Sequence, residues 1–312
     1  MIKIAIFGFG NHVKKNILPA ISRSNNLDLS FIVRREVCDL AREEFKNIKF
    51  ITLDESFTKI NHKNTNLVYI ANPTSEHYKW SKKSIMNGFD VLCEKPLTNS
   101  LKDTKNLIKL AKENSVKISE VCIYKFHKQY HYMSQLVNSS LKNIVSIETS
   151  FCIPSLPLDD FRYQKDLGGG ALLDIGYYPV SIILSLFGEP DGLSGETYFN
   201  SKLNIDTGGD VFFKYKNFIA TTKWRLGSSY ENFFKIKLKN GEYVFNRIFS
   251  KPHDYESFVT YFDCNKSRKE IEIGADDHFL NILESNFLYS NNNDELLTAK
   301  FLEVISRLPL RS

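Results

Sequence analysis

The chain has 312 residues, 41 basic and 36 acidic side chains for a net charge of +5, and 42% hydrophobic residues. This ordinary globular balance excludes a disordered or collagen-like chain, and lysines scattered without a polybasic block predict no nucleic-acid partner. Five dispersed cysteines (Cys38, Cys93, Cys122, Cys152, Cys264), with no Cys-x-x-Cys, exclude a disulfide framework or zinc ribbon and predict a reducing, cytoplasmic location.

The length predicts two domains. The N-terminal run Met-Ile-Lys-Ile-Ala-Ile-Phe-Gly flows into a glycine motif, so it reads as a buried first strand and not a signal peptide. Short β-rich runs follow at Leu27–Val33, Lys49–Leu53, Asn66–Ala71, Asp90–Glu94 and Lys117–Ile123. They alternate with helical patterns near Val13–Ser22, Val37–Phe45, Ser75–Asn87 and Leu101–Glu113. Near-continuous apolar strands alternating with amphipathic helices predict a doubly wound parallel sheet of α/β type over residues 1–123.

The pattern switches after Tyr124. A helix near His127–Ser140 leads to a strand at Ile144–Ile153, then a Pro-containing loop and Gly168-Gly169-Gly170 before a helix over Ala171–Phe187. From Gly192 to Ile273 the texture is strand upon strand, with turns expected at Gly208-Gly209, Lys216-Asn217 and Asn240-Gly241. Helices near Asp276–Tyr289 and Asp294–Arg307 close the chain. Residues 124–312 are therefore expected to form an α+β domain with an open, mostly antiparallel sheet. The longest apolar run, Val180 to Phe187, is too short to span a bilayer and predicts no membrane segment.

Gly8-Phe9-Gly10 stands between the first strand and first helix. A dinucleotide pyrophosphate needs a tight turn, an unobstructed backbone and free N–H groups at a helix start. Gly8 and Gly10 supply the turn and the open backbone, and Phe9, Asn11 and His12 are candidate cofactor contacts beside them. The third glycine of the usual fingerprint is replaced by Val13. The second strand ends Val33-Arg34-Arg35 with no acid at its tip, which predicts NADP in preference to NAD through a 2′-phosphate contact. His127 and His131 have metal-ligand spacing, but the glutamate of His-Glu-x-x-His is missing, and no metal is expected.

Asn72-Pro73-Thr74-Ser75-Glu76-His77, Asp90 through Glu94-Lys95-Pro96-Leu97, Tyr124-Lys125-Phe126-His127 and the stretch from Asp166 to Val180 together resemble the Gfo/Idh/MocA family of oxidoreductases. The resemblance runs along nearly the whole chain. It implies a cofactor site that adds Asn72, Pro73, Thr74, His77, Glu94 and Lys95 to the glycine loop. Many members carry histidine where this chain has Tyr178. The tyrosine version resembles the branch of glucose-fructose oxidoreductase, dihydrodiol and xylose dehydrogenases, and nucleotide-sugar ketoreductases.

In that branch a tyrosine is the acid/base and the Glu-Lys-Pro lysine assists it. The resemblance thus implies that Tyr178 exchanges the proton, Lys95 lowers its pKa and Asp174, four residues earlier on one helix face, grips a substrate hydroxyl. Arg162, Lys125 and His127 are expected to meet an anionic substrate. Tyr230-Glu231-Asn232, Asn240-Gly241-Glu242-Tyr243 and Asn246-Arg247-Ile248-Phe249-Ser250-Lys251-Pro252 look most like the nucleotide-sugar ketoreductases, with Arg247 suited to a diphosphate. The chain departs from them at Lys239-Asn240. The expected activity is hydride transfer between NADPH and a sugar or nucleotide-sugar carbonyl. A free-sugar or diol dehydrogenase and a non-catalytic sensor are the alternatives. A homodimer or homotetramer is expected.

Overall fold

The computed structural model describes residues 1–36, 45–285 and 292–311. The chain divides into two compact units, Met1–Cys122 with Phe279–Glu295, and Ile123–His278 with Leu296–Ser312.

In the first unit β1 (Ile2–Phe7), β2 (Leu27–Arg34), β3 (Phe50–Thr52), β4 (Leu67–Ile70), β5 (Asp90–Glu94) and β6 (Ile118–Val121) form one sheet in the order β3-β2-β1-β4-β5-β6. Every pairing is parallel. β1 and β4 are neighbours although β2 and β3 lie between them in sequence, so the winding reverses there. In open α/β sheets such a reversal is where ligands bind, beyond the carboxyl ends of the strands. The helices are α1 (Leu18–Arg23), α2 (Ser56–Lys59), α3 (Thr74–Met86) and α4 (Leu101–Glu113). Ser100 caps α4 by accepting the Asp103 N–H at 3.1 Å, and the helix turns Leu107 and Ala111 into the core. That core gathers Phe7, Val33, Ile70, Trp80 and Val91 against the sheet. The helix expected near Val37–Phe45 falls almost wholly outside the described residues.

The second unit begins with α5 (Lys128–Ser140) and β7 (Ile144–Ile153) and continues to α6 (Tyr177–Phe187). Then come β8 (Gly192–Asn200), β9 (Ile205–Lys214), β10 (Ile219–Leu226), β11 (Glu231–Leu238), β12 (Gly241–Asn246), β13 (Ser257–Asp263) and β14 (Arg268–Gly274). With the terminal β15 (Leu310–Arg311) they form one sheet ordered β14-β13-β12-β11-β7-β10-β9-β8-β15. Only β7 with β10 and β8 with β15 pair in parallel. α6 is buried from Tyr177 to Leu184. The stretch Lys165–Phe187 is apolar and long enough to cross a bilayer by composition, yet 67% of that window is buried inside the protein. It serves as the core helix of this unit.

Two expectations change. Gly208-Gly209 is not a turn but lies inside β9, because the Trp224 indole occupies the space where a side chain would project. A Cβ on Gly209 would stand 2.2 Å from Trp224 Cζ2, and one on Gly176 would stand 2.9 Å from Trp224 Cε2. The division at residue 123 is also not a single cut. α7 (His278–Glu284) runs into a segment, from Phe279, that belongs with the first unit, where Glu284 Oε1 accepts Ser24 Oγ at 2.5 Å and the Phe279 ring meets His12 at 5.6 Å. α8 (Asn293–Ile305) follows it.

Candidate active site

In the first unit the glycine loop is fixed by a close approach of two strand ends. Gly8 has φ +105°, and a Cβ there would lie 2.6 Å from the Ala71 carbonyl oxygen. Only glycine fits both the conformation and the space. Gly8 N donates to Val33 O at 2.9 Å and Ala71 N to Phe7 O at 2.7 Å, tying β1, β2 and β4 together at the crevice. Gly10 and Asn11 are exposed where the first helix starts, and the helix takes a π turn over Val13–Ile17. Asn72 follows β4, and its Oδ1 is buried without a hydrogen-bond partner. An orphaned acceptor beside a side-chain-free loop and an exposed helix start fits a dinucleotide.

Phe9 is a stacking centre. Its ring meets Phe45 and Phe50 edge-on at 5.1 Å each, and the Arg34 guanidinium lies 5.6 Å from its centroid. Arg35 is largely exposed, 3.7 Å from Glu76. Arg34 thus ends β2 and Arg35 follows it, at the strand tip.

Glu94 ends β5 and joins the loop to the next motif. Its Oε1 lies 2.8 Å from His12 Nε2, a charge contact more than an aligned hydrogen bond, and accepts the Tyr69 hydroxyl at 2.5 Å. Burial opposes its ionisation, but the His12 charge, the His12 and Tyr69 contacts and Lys95 together hold its carboxyl below the usual range. Lys95 and Pro96 follow directly. Glu94 thus links His12 on the glycine loop to Tyr69 on β4, one residue before Lys95.

His77 is corrected from cofactor contact to clamp. It is buried, with Nδ1 2.8 Å from Pro96 O and Nε2 2.9 Å from Asn72 O. Both ring nitrogens are spent on backbone, so the imidazole ties the end of β4 to the end of β5. Burial pushes its pKa down, and the two carbonyls oppose that shift. Pro73 and Thr74 stand at the start of α3, with Glu76 N donating to Pro73 O at 2.8 Å.

The second unit presents Asp174 and Tyr178 at the start of the 171–187 helix. That start is a π turn over Leu172–Gly176, a feature that recurs at functional sites. The triple glycine admits it. A Cβ on Gly169 would meet Arg162 O at 2.6 Å, and one on Gly170, at φ +121°, would meet Asp206 Oδ1 at 2.3 Å. Asp206 Oδ2 accepts the Leu172 N–H at 2.6 Å, capping the helix from β9.

Tyr178 is enclosed by rings. Phe151 lies at 5.3 Å, Tyr177 and Phe249 at 5.6 Å and Tyr124 at 6.4 Å between centroids. Tyr177 is almost wholly buried while Tyr178 keeps 9% exposure, which leaves Tyr178 as the one of the pair that reaches solvent.

Two expected anion-binding residues are corrected. Arg162 donates through Nε to Asp174 and lies 3.2 Å from Asp160, so its charge is already balanced. Burial lowers its pKa, but the two carboxylates outweigh that and raise it. Its guanidinium thus holds the Asp174 carboxylate in place. His127 is fully buried and caps α5, its Nδ1 accepting the Gln129 N–H at 3.0 Å. Burial, with nearby Lys251, brings its pKa to about 4, so it is neutral near pH 7. Lys125 is half-buried in the 3-10 turn Ile123–Phe126.

Sequence reasoning missed Asp206, Tyr69 and the rings around Tyr178. An acidic residue in an otherwise core-facing strand was the available signal for Asp206. Three of the four rings, Tyr124, Phe151 and Phe249, come from separate stretches of the chain and leave no local pattern.

An oxidoreductase family with an NAD-binding Rossmann fold matches residues 2–121, and the Gfo/Idh/MocA C-terminal domain matches residues 131–244. The chain belongs to the Gfo/Idh/MocA family. Similar members include the dTDP-3,4-didehydro-2,6-dideoxy-α-D-glucose 3-reductase of Actinomadura kijaniata, 24% identical over 89% of this chain and 84% of that enzyme. The enzyme of the same name from Streptomyces violaceoruber is 28% identical over 67% of this chain, a match spanning 62% of that enzyme's length. The D-xylose 1-dehydrogenase (NADP+) 2 of Haloferax volcanii is 29% identical over 67% of this chain and 68% of its own. In fold, the chain superposes on the 3-ketoreductase KijD10 of Actinomadura kijaniata, solved with NADP and TDP-benzene. The TM-score is 0.89 at 22% identity, covering 100% of this chain and 99% of that one.

Proposed function

We propose that this Gfo/Idh/MocA member reduces a keto group on a nucleotide-linked sugar, with NADPH as reductant. The observation that carries this reading is Tyr178, caged by four rings one turn after an Asp174 held in place by Arg162. The similar dTDP-sugar 3-reductases point to the same substrate class.

Gly8, Gly10 and the exposed helix start would hold the pyrophosphate, the orphaned Asn72 Oδ1 would accept from the dinucleotide, and Arg34 and Arg35 would meet the 2′-phosphate. Bound NADPH supplies the hydride. The Tyr178 hydroxyl then gives its proton to the developing alkoxide oxygen, and solvent returns a proton to the phenolate. Asp174 accepts from a neighbouring sugar hydroxyl, fixing which carbon faces the donor. Lys95 takes the assisting role that the family resemblance implies. The mixed sheet exposes Phe212 and Ile219, side chains suited to contact a second copy in a dimer or tetramer.

NADPH and NADH oxidation against nucleotide-linked keto sugars, free sugars and diols, run in both directions, tests the reading. The expected result is turnover confined to nucleotide-linked ketones and reduced by orders of magnitude in Tyr178→Phe. Turnover only on free sugars would make the chain a dehydrogenase resembling the Haloferax enzyme. Cofactor binding with no turnover on any member of the panel would identify a sensor.

A further inference from the structure

Phe9 stands between Gly8 and Gly10, and two cations from different elements share its ring. Lys14 Nζ lies 4.9 Å from the ring centroid, and the Arg34 guanidinium carbon lies 5.6 Å from it. The ring is wedged by Phe45 and Phe50, each steeply inclined to it at 5.1 Å, and Lys14 Nζ is also 5.5 Å from the Phe45 centroid. Lys14 lies in the π turn that opens the first helix, where its N–H donates to Gly10 O at 3.1 Å. Helical side chains lean towards the N-terminus of their helix, so a lysine at this position reaches back over the glycine loop. Arg34 arrives from the neighbouring strand, as the last residue of β2.

The Phe9 ring attracts each cation, but the two cations repel one another. Both side chains belong to half-buried residues, where charges are screened less than in open solvent. An anion beside the ring turns that repulsion into two attractions. A dinucleotide offers a pyrophosphate and, in NADPH but not NADH, a 2′-phosphate. Backbone N–H groups at the helix start serve the pyrophosphate, whereas the tip of the second strand reads the ribose 2′ position. Lys14 shares its ring with the arginine of that strand tip, which associates it with the 2′ position.

We infer that Lys14, held over Phe9 together with Arg34, is a specificity residue that selects NADPH over NADH through the 2′-phosphate. This inference rests on the NADPH reading of the glycine loop and adds to it a residue from the first helix.

Calorimetric titration of the full chain with NADPH, NADH, adenosine 2′,5′-bisphosphate and adenosine 5′-monophosphate tests it. Lys14→Met keeps the length of the side chain and removes its charge, and Lys15→Met, at the exposed neighbouring position, is the control. The expected result is at least a tenfold loss of affinity for NADPH and for the bisphosphate in Lys14→Met. NADH and the monophosphate should bind as they do to wild type, the melting temperature should hold, and Lys15→Met should behave as wild type throughout. Unchanged NADPH affinity in Lys14→Met would overturn the assignment. Equal losses for NADPH and NADH would also overturn it, by placing the lysine at the pyrophosphate. An equal loss in Lys15→Met would reduce the effect to a general positive field and overturn it too. Wild-type protein that binds NADPH and NADH alike would overturn the NADPH reading beneath it.

Discussion

Asp206 Oδ2 and the Leu172 backbone N–H are 2.6 Å apart, so a carboxylate on the sheet caps the helix that carries Asp174 and Tyr178. Gly170 completes the arrangement, because the space beside it is taken by Asp206 Oδ1. The start of the helix that carries Tyr178 is thus capped by a residue 28 positions beyond that tyrosine.

This cap has a pH signature. Burial raises the Asp206 carboxyl to about 6, against the hydrogen bonds from Leu172 and Ala171, which lower it. A folded pKa above the unfolded value of about 3.9 means the folded chain holds a proton that the unfolded chain has lost. Stability from this group is therefore greatest below pH 4, falls as pH rises to about 6 and is level above. Asp206→Asn keeps an acceptor for Leu172 without the charge. Its stability should exceed wild type by roughly 3 kcal/mol at pH 8, at 1.36 kcal/mol per pKa unit, and match it near pH 4. Urea unfolding at both values checks this, and a pH-independent difference would remove the assignment.

Gly8→Ala should disable the cofactor loop without touching any polar contact. The new Cβ would meet Ala71 O in a backbone conformation that already strains an L residue, so β1 and β4 must part. The melting temperature should fall, and NADPH affinity should fall more than tenfold by fluorescence titration. Wild-type affinity in the variant would show that the loop does not approach the dinucleotide.

The first sheet was legible because its strands are buried on both faces and read as apolar runs, and because Gly8 and Lys95 stand at strand ends where motif and topology coincide. Tyr178 and Asp174 stand out in the sequence through their four-residue spacing, and the structure puts both in the opening turns of one helix. What escaped was pairing at long range. Nothing local to Arg162 shows that Asp174 will neutralise it, or that His77 will spend both nitrogens on backbone carbonyls. Gly208-Gly209 carried the signature of a turn, but the demand came from Trp224 across the sheet. The return of residues 279–295 to the first unit depends on Glu284 meeting Ser24, 260 positions away.

Cofactor choice should depend on Arg34 and Arg35. Replacing both with alanine removes the charges after β2 and also the guanidinium over Phe9. A charge-assisted contact contributes about 1.5–3 kcal/mol, so NADPH affinity should weaken roughly ten- to a hundredfold while NADH affinity changes little. Kd values for the two cofactors decide it. Equal weakening of both would mean the pair supports the loop instead of reading the 2′-phosphate.

Lys251 supplies a test with the opposite sign. It is 4% exposed, and its Nζ donates to Gln129 Oε1 at 2.5 Å, while Gln129 Nε2 is bound to Asn246 O at 3.1 Å. Burial brings the ammonium down to about 7, with Asp276 opposing and Arg247 adding to the shift. The folded pKa lies below the unfolded value of about 10.4, so between pH 7 and 10 the folded chain has shed a proton that the unfolded chain keeps. Stability from this group accordingly rises across that window and is least below pH 7. Lys251→Met cannot titrate and leaves Gln129 Oε1 without its donor, a cost of about 1 kcal/mol at every pH. Relative to wild type, Lys251→Met should be most favourable at pH 6 and lose ground steadily towards pH 10, by a few kcal/mol in all. Urea midpoints at pH 6, 7, 8 and 9 measure the trend, and curves for the two proteins that run parallel would mean the ammonium is solvated and not buried.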